Sequence, residues 1–356
     1  MEKSRGINYE VGLKFHPERK VDYEAISRNT EKDLDDIREM GCDSVRIYGD
    51  NPDNLMLAAK TALEKGLKVW LSPRLINGQA QETLDLLLNI AEQAETLRQE
   101  HGDNITLVIG NELMLDSRVA FEEEQYADRI ARFKKFKALE MAKKYLRLIA
   151  LHKVLPDTEK YKERVRQFTK TLVTETRGKF NGQITYASLP DENIDWEHFD
   201  IVGVNLYEDA SNKGKYAEEL QRYKSHGKPV AITEFGTAPY KGAGHLGGYA
   251  HSVIDWQHGR LKRGMGLMPV FRDEKAQADY LERLIQMYEK HEIDAHFIFE
   301  YINWNTKHTP EDPKRNLTTG SFGLVHLTPD GEKVRSEAYH RVKKILKGEN
   351  DGNAEK

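Results

Sequence analysis

Short apolar runs alternate with longer amphipathic stretches along the whole chain. Eight runs have the length and composition of strands: INYEVGLKF (7–15), DSVRIYG, LKVWLSP, ITLVIGNE, QITYAS, FDIVGVNLY, PVAITEF and AHFIFEY. Several are nearly continuous apolar segments, the pattern of parallel strands covered on both faces. The stretches between them read as helices. NTEKDLDDIREMG has Asn29 or Thr30 as its N-cap and Gly41 as its stop. NPDNLMLAAKTALEKG has Pro52 in its first turn and Gly66 past its end. AQETLDLLLNIAEQAETLRQEHG is a third helix, and two charged helices follow over roughly 122–154 and 157–179. Further helices are predicted near 216–225, 274–290 and 336–347.

This alternation has no composition shift and no Pro- or Ser-rich linker, so it predicts an α/β protein with one (β/α)8 TIM barrel over residues 1–348. A helical insertion follows strand four (113–181), a long loop follows strand seven (240–266), and residues 349–356 form a disordered tail. A doubly wound open sheet is the competing architecture. It usually carries a Gly-rich dinucleotide turn after its first strand, where this chain has KFHPERK.

Two of the apolar runs end in a carboxylate. LVIGNELML places Glu112 at the end of strand four, and PVAITEFGT places Glu234 at the end of strand seven. Barrel chemistry sits at the C-terminal ends of the strands, and strands four and seven lie on opposite sides of the mouth. Two carboxylates facing each other there suit glycosidic bond cleavage, one protonating the leaving oxygen and the other attacking the anomeric carbon. A single glutamate at a strand end is more often a helix cap or a lysine partner. The pair in barrel register points to catalysis.

Composition narrows the remaining classes. The chain has 356 residues, 31% of them charged, and a formal net charge of −4, which gives no support to a general nucleic-acid binder. Cys42 is the only cysteine, so there is no disulfide framework. The thirteen histidines show no metal-ligand spacing, so no metal is expected. DNPDN (50–54) lacks the bidentate glutamate of a calcium loop and reads as helix capping, and HEIDAH (291–296) reads as a loop entering strand eight. The start of the chain lacks an apolar targeting core, and no window is long enough to span a bilayer. A cytoplasmic location follows, or a secreted one if a leader preceded this start. The basic stretch 129–153 reads as an outer helix or one packed over the barrel mouth, ahead of a membrane-surface helix. In the loop after strand seven, His245, Trp256 and His258 are candidate sugar contacts.

The motifs IGNEL and ITEFG, in this order and on these strands, resemble those of clan A glycoside hydrolases. The resemblance implies Glu112 as acid/base, Asn111 as the residue that binds the sugar 2-hydroxyl, and Glu234 as nucleophile. Arg46 in VRIYG and Tyr207 in VNLYED match positions that support the nucleophile, and Tyr301 or Trp304 in FEYINWN matches the aromatic floor of the sugar site. The run SFGLVHLTPDGEKVRSEAYHRVKKI is similar to the clan's ending, and small members resembling plant β-1,3-glucanases or endo-galactanases are closest in character. The resemblance implies a retaining glycosidase that acts on a carbohydrate without a cofactor. A different class remains open beside it: a catalytically inactive barrel serving as a carbohydrate-binding or regulatory interaction protein.

Overall fold

The computed structural model describes residues 3–15, 20–147, 158–262 and 270–349. All eight apolar runs contribute to one parallel sheet: β1 Ser4–Glu10, β2 Ser44–Gly49, β3 Lys68–Pro73, β4 Ile105–Asn111, β5 Gln183–Ala187, β6 Val202–Asn205, β7 Val230–Phe235 and β8 Ala295–Ile298. Their order in the sheet is β5-β4-β3-β2-β1-β8-β7-β6. The remaining seam between β5 and β6 is joined by a bridge from Ser188 to Val204. There Ser188 N–H donates to Gly203 O at 3.1 Å and Asn205 N–H donates to Ser188 O at 2.8 Å. The sheet therefore closes into the predicted α/β barrel.

The helices are α1 Tyr23–Glu39, α2 Pro52–Glu64, α3 Ala80–His101, α4 Leu113–Asp116, α5 Tyr126–Arg147, α6 Glu159–Arg177, α7 Tyr216–Lys224, α8 Glu274–Lys290 and α9 Glu337–Lys347. After β8 the chain forms a small three-stranded sheet from Ile302–Lys307, Val325–Leu327 and Lys333–Arg335 before α9. One boundary needs correction. Helix α1 begins at Tyr23, capped by the Asp22 side chain. The expected caps lie inside it, and Asn29 and Thr30 instead donate back to the carbonyls of Ala25 and Ile26. Cap-type side chains within a helix can satisfy themselves on the preceding turn, so residue type alone misplaces the start. The ends assigned to the two charged helices at Val154 and Asp157, part of the loop after β7 and the tail from 350 lie outside the described residues.

Inside the barrel, the large rings of Trp70 (β3) and Phe297 (β8) meet at 4.8 Å and are surrounded by Val108, Ala187, Ala231 and Ala295. Large residues from two strands pack against small ones from others, the way layers of side chains fill such a barrel. The main core lies between strands and helices, for example Leu34, Ala58, Ile90, Leu220 and Leu284 beneath their helices.

The insertion after β4 is fixed to the mouth of the barrel. The Glu192 carboxylate accepts from Met114 N–H, Leu189 N–H and the Tyr186 hydroxyl, and burial raises its pKa to about 7. The Arg129 guanidinium, fully buried, donates to Leu115 O, Asp116 O and Asn77 Oδ1. Phe133 and Phe136 are buried beside Phe121. Farther along α5, the Lys134 ammonium lies 5.6 Å from the Tyr249 ring in the loop after β7, and Lys137 pairs with Asp191 at 3.1 Å. The described part of the basic stretch is thus a helix laid across the mouth.

The seam gives a stability prediction. A Cβ at Gly203 would lie 2.3 Å from Tyr186 O, a backbone atom that cannot swing aside. Gly203→Ala should lower the unfolding free energy by ~1–3 kcal/mol. Gly214→Ala, where a Cβ meets nothing within 4 Å, should stay within about 0.5 kcal/mol of the parent in the same chemical denaturation experiment.

Candidate active site

Polar side chains interrupt the apolar strands at their C-terminal ends, and they converge. Arg46 on β2 is completely buried. Its Nη1 donates to Asn8 Oδ1 on β1 at 2.9 Å and to Glu234 Oε1 on β7 at 2.8 Å. Its Nη2 donates to Ser72 Oγ on β3 at 3.1 Å and to Asn111 Oδ1 on β4 at 2.8 Å. One guanidinium therefore ties five strands' worth of site together through β1, β2, β3, β4 and β7. Asn205 on β6 joins the same network, donating from Nδ2 to Glu112 Oε1 at 2.7 Å and to Asn111 Oδ1 at 3.3 Å. Both carboxylates, Glu112 and Glu234, are thus held by one hydrogen-bonded set.

Local backbone geometry presents them. Glu112 has φ 37° and ψ 50°, a left-handed conformation that ends β4 and starts α4. For a residue with a Cβ this costs on the order of 1–2 kcal/mol, a strain typical of functional sites. The β-ladders are irregular between Val108 and Asn111 on β4, between Val204 and Asn205 on β6, and between His296 and Ile298 on β8. Such bulges re-aim side chains at a barrel rim.

The two carboxylates stand in different surroundings. Glu234 receives the Arg46 guanidinium and, at 3.0 Å, the Tyr207 hydroxyl. Glu112 receives the neutral amide of Asn205. Burial raises the Glu112 pKa to about 8, and the charge of Glu234 adds to the rise. Beside them, Arg74 donates to Asp116 from Nε at 2.6 Å and from Nη2 at 3.1 Å, and Asn111 Nδ2 donates to Asp116 Oδ2 at 3.0 Å. Burial alone would lower the Arg74 pKa, but the charge and hydrogen bonds of Asp116, together with the charges of Glu234 and Glu112, more than reverse this, so the guanidinium stays charged. Burial likewise raises the Asp116 carboxyl, with the Arg74 charge opposing it.

The structure brings Arg46, Asn111, Glu112, Tyr207 and Glu234 into this cluster. It places Tyr301 and Trp304 elsewhere. Tyr301 is buried behind β1 with its hydroxyl on Asp36 of α1 at 2.8 Å. Trp304 donates from Nε1 to Glu10 O at 3.0 Å, and the Lys333 ammonium lies 4.9 Å from its ring. After Ile298 the regular ladder ends, but Phe299 N–H still bonds to Phe235 O on β7 and Tyr301 N–H to Asn8 O on β1; the strand that follows, from Ile302, pairs outside the barrel sheet. The aromatics that border the cluster are Phe299, stacked on Tyr48 at 6.0 Å, and Phe322, at 5.8 Å from Phe299 and 6.0 Å from Tyr207. In the loop after β7, His245 and His258 are exposed and Trp256 is 40% exposed; His258 bonds to Asp255. The residues that sequence reasoning passed over are Asn8, Arg74, Asp116, Asn205 and Glu300. Most of them are polar positions at the end of an apolar run, the same signal that marked Glu112.

Among the described residues, the one set of three metal-type side chains close enough to share an ion is Asp195, Glu197 and His198, all exposed and apart from these carboxylates. Among them, too, no helix is long and apolar enough to cross a membrane.

No family model matches the chain, and no curated protein matches it by sequence. Solved structures do match. Bacteroides uniformis beta-glucuronidase 2, covalently bound to cyclophellitol-6-carboxylate aziridine, superposes with a TM-score of 0.56 at 17% identity, over 98% of this chain and 35% of that one. Rice Os3BGlu6 beta-glucosidase gives 0.51 at 12% identity, over 97% of this chain and 98% of its own. The exo-beta-1,4-mannosidase Op5Man5 from Opitutaceae bacterium strain TAV5 gives 0.51 at 12%, over 98% and 59%. The chain spans less than half of the beta-glucuronidases it matches, 44% for the FMN-binding one from Facaelibacterium prausnitzii and 35% for that of B. uniformis. At these identities the likeness is one of fold: the chain has a (β/α)8 barrel like that of these glycoside hydrolases, with no family assigned.

Proposed function

We propose that the protein is a retaining glycoside hydrolase that cleaves an O-glycosidic bond through a glycosyl-enzyme intermediate. The observation that carries this reading is the asymmetry of the two buried carboxylates. Glu234 takes a guanidinium and a phenol hydroxyl, both of which donate to it and hold its carboxylate in place. Glu112 holds its proton to about pH 8 and has that proton to give.

In the first step Glu234 attacks the anomeric carbon while Glu112 protonates the departing oxygen. The C–O bond to the leaving group breaks and a glycosyl ester on Glu234 forms. In the second step Glu112, now ionised, takes a proton from water as the water oxygen attacks the same carbon, and Glu234 is released. Two inversions give net retention. Once Glu234 is esterified it no longer carries a charge, so Glu112 acidifies and becomes a better base for the second step. Asn111 and Asn205 hold the geometry between the two, and the clan resemblance assigns to Asn111 the sugar 2-hydroxyl. The clan chemistry needs no cofactor, and the partner is a carbohydrate.

Two mutants test the roles. Glu234→Ala should lose several powers of ten in hydrolysis of every glycoside, and azide should restore turnover with a glycosyl azide of inverted configuration. Glu112→Ala should be slow on poor leaving groups and far less affected on dinitrophenyl glycosides, which depart without a proton. With this variant azide should give a product of retained configuration. The same responses with the residues exchanged would reverse the assignment.

A pH prediction follows from the raised pKa. The folded-state value of Glu112 lies above that of a free carboxyl, so the protonated form persists on the acid side and is lost as pH rises through about 8. The kcat/KM profile should therefore have its alkaline limb near pH 8. Glu234→Gln removes the charge that contributes to the shift. In that variant the Glu112 carboxyl, followed by its infrared C=O band, should titrate at lower pH than in the wild type.

A further inference from the structure

The Asn111 amide can sit only one way round. Its Oδ1 accepts from Arg46 Nη2 at 2.8 Å and from Asn205 Nδ2 at 3.3 Å. An amide oxygen has two lone pairs, so it is fully used. Its Nδ2 donates to Asp116 Oδ2 at 3.0 Å. Turning the amide over would set its NH2 against the Arg46 guanidinium, which has only donors, and its oxygen against the Asp116 carboxylate, which accepts from Arg74. The amide nitrogen carries two hydrogens, and Asp116 takes one of them. The other has no acceptor among the described residues. Toward a ligand, Asn111 is therefore a donor and not an acceptor.

Asp116 ends the short helix α4 and is buried. That helix is held in place without the Asp116 side chain. Leu113 N–H donates to the Tyr186 hydroxyl at 2.9 Å and Met114 N–H to Glu192 at 2.8 Å. Arg129 donates to Leu115 O and Asp116 O, and Asn77 N–H donates to Asp116 O at 2.7 Å. Among the described residues, the Asp116 carboxylate accepts from Arg74 and Asn111 alone. Arg74 has its own supports, with its charge 5.5 Å from the Phe15 ring and 5.8 Å from the Tyr48 ring. A guanidinium that grips a carboxylate with two nitrogens fixes its plane as well as its position. A line of fixed geometry thus runs from Arg74 through Asp116 to the Asn111 amide.

Building on the glycosidase reading above, we infer that Asp116 is a positioning residue: anchored by Arg74, it locks the Asn111 amide so that one Nδ2 hydrogen is left for an acceptor atom of the ligand, which in that reading is the 2-hydroxyl oxygen. Asp116 acts through Asn111 and not on the sugar. Without it the amide is still held by its oxygen, but its nitrogen end must be ordered anew each time a ligand arrives. A donor fixed beforehand needs no such reorganisation as the transition state forms. The charges of the Arg74–Asp116 pair also reach Glu112, but in opposite directions, Arg74 lowering its pKa and Asp116 raising it. An effect through charge falls on every substrate alike. A lock on Asn111 falls only on substrates that carry the 2-hydroxyl.

The test uses matched nitrophenyl glycosides that carry or lack the 2-hydroxyl, and reads the ratio of their kcat/KM values in the full chain and its variants. Losses common to both substrates, such as those from an unpaired Arg74 or a shifted Glu112, cancel in the ratio. Asp116→Ala should lower the preference for the 2-hydroxyl by ~10-fold, the scale of one hydrogen bond. Asp116→Asn should keep most of the preference, because its amide oxygen can still accept from Asn111 and from Arg74 Nε. In an Asn111→Ala background, Asp116→Ala should leave the ratio within about 2-fold, since the two residues act as one unit. Should Asp116→Ala not fold, Arg74→Met combined with Asp116→Leu removes both charges together and carries the same test. A second readout needs no turnover. In isotope-edited NMR spectra the Asn111 side-chain amide, assigned by its loss in Asn111→Ser, should show one hydrogen that exchanges slowly with water and one that exchanges faster, and Asp116→Ala should remove the difference. If no glycoside is hydrolysed, the glycosidase reading falls and the amide spectrum alone decides the inference. A ratio untouched by Asp116→Ala, a ratio that still falls in the Asn111→Ala background, an Asp116→Asn variant as poor as Asp116→Ala, or two Asn111 hydrogens that exchange alike in the wild type would overturn it.

Discussion

The site depends on one buried ion pair. Arg46 and Glu234 meet at 2.8 Å with side-chain exposures of 0% and 5%. Removing two charges from water is costly, and removing one partner of such a pair costs about 3–5 kcal/mol because the other is left unpaired. The pair is tolerable because Arg46 is satisfied on several sides, by Asn8, Ser72 and Asn111 as well as Glu234. Those partners come from strands distant in sequence, so the barrel must close correctly before the guanidinium is paid for. In the closed barrel, the same contacts fix Glu234 in place and leave Glu112 facing it through Asn111 and Asn205.

This arrangement places two buried carboxylates in different surroundings within one hydrogen-bonded set. Burial raises Glu112, Asp116 and Glu300 alike. What separates them is who donates to them. Glu234 receives a guanidinium, Asp116 receives Arg74, and Glu112 and Glu300 receive uncharged donors, the amide of Asn205 for one and a phenol and an amide for the other. The insertion after β4 adds a roof to this design. Helix α5 is anchored at Arg129 and reaches Tyr249 across the mouth, so the loop after β7 and the loops after β3 and β5 are held by one element.

Much of the fold was legible because periodicity survives in long, buried strands. The eight apolar runs became the eight barrel strands, and Pro52 and Gly66 bounded α2 as local chemistry requires. The start of α1 was not legible, because Asn29 and Thr30 can bond to their own preceding turn as readily as cap a helix. The two glutamates stood out as carboxylates closing apolar runs. Asn205 in VGVN and Asn8 in INYE carried the same signal more weakly, since an amide is less conspicuous than a charge. Strand eight misled for a geometric reason. Counting alternate residues through FEYINWN assumes a regular strand, whereas the ladder becomes irregular after Ile298, the side chain of Tyr301 reaches Asp36, and the strand from Ile302 joins another sheet.

The central claim is that Glu234 becomes covalently bonded to sugar while Glu112 does not. The most direct measurement is trapping of that bond. The wild-type protein is incubated with a 2-deoxy-2-fluoroglycosyl fluoride of a neutral hexose, whose fluorine slows release of the intermediate, and the digest is mapped by mass spectrometry. The account predicts one added fluoroglycosyl group, on the peptide that contains Glu234, and its loss when a competing glycoside accepts the sugar. A label on Glu112, on Glu300 or on no carboxylate at all would contradict it.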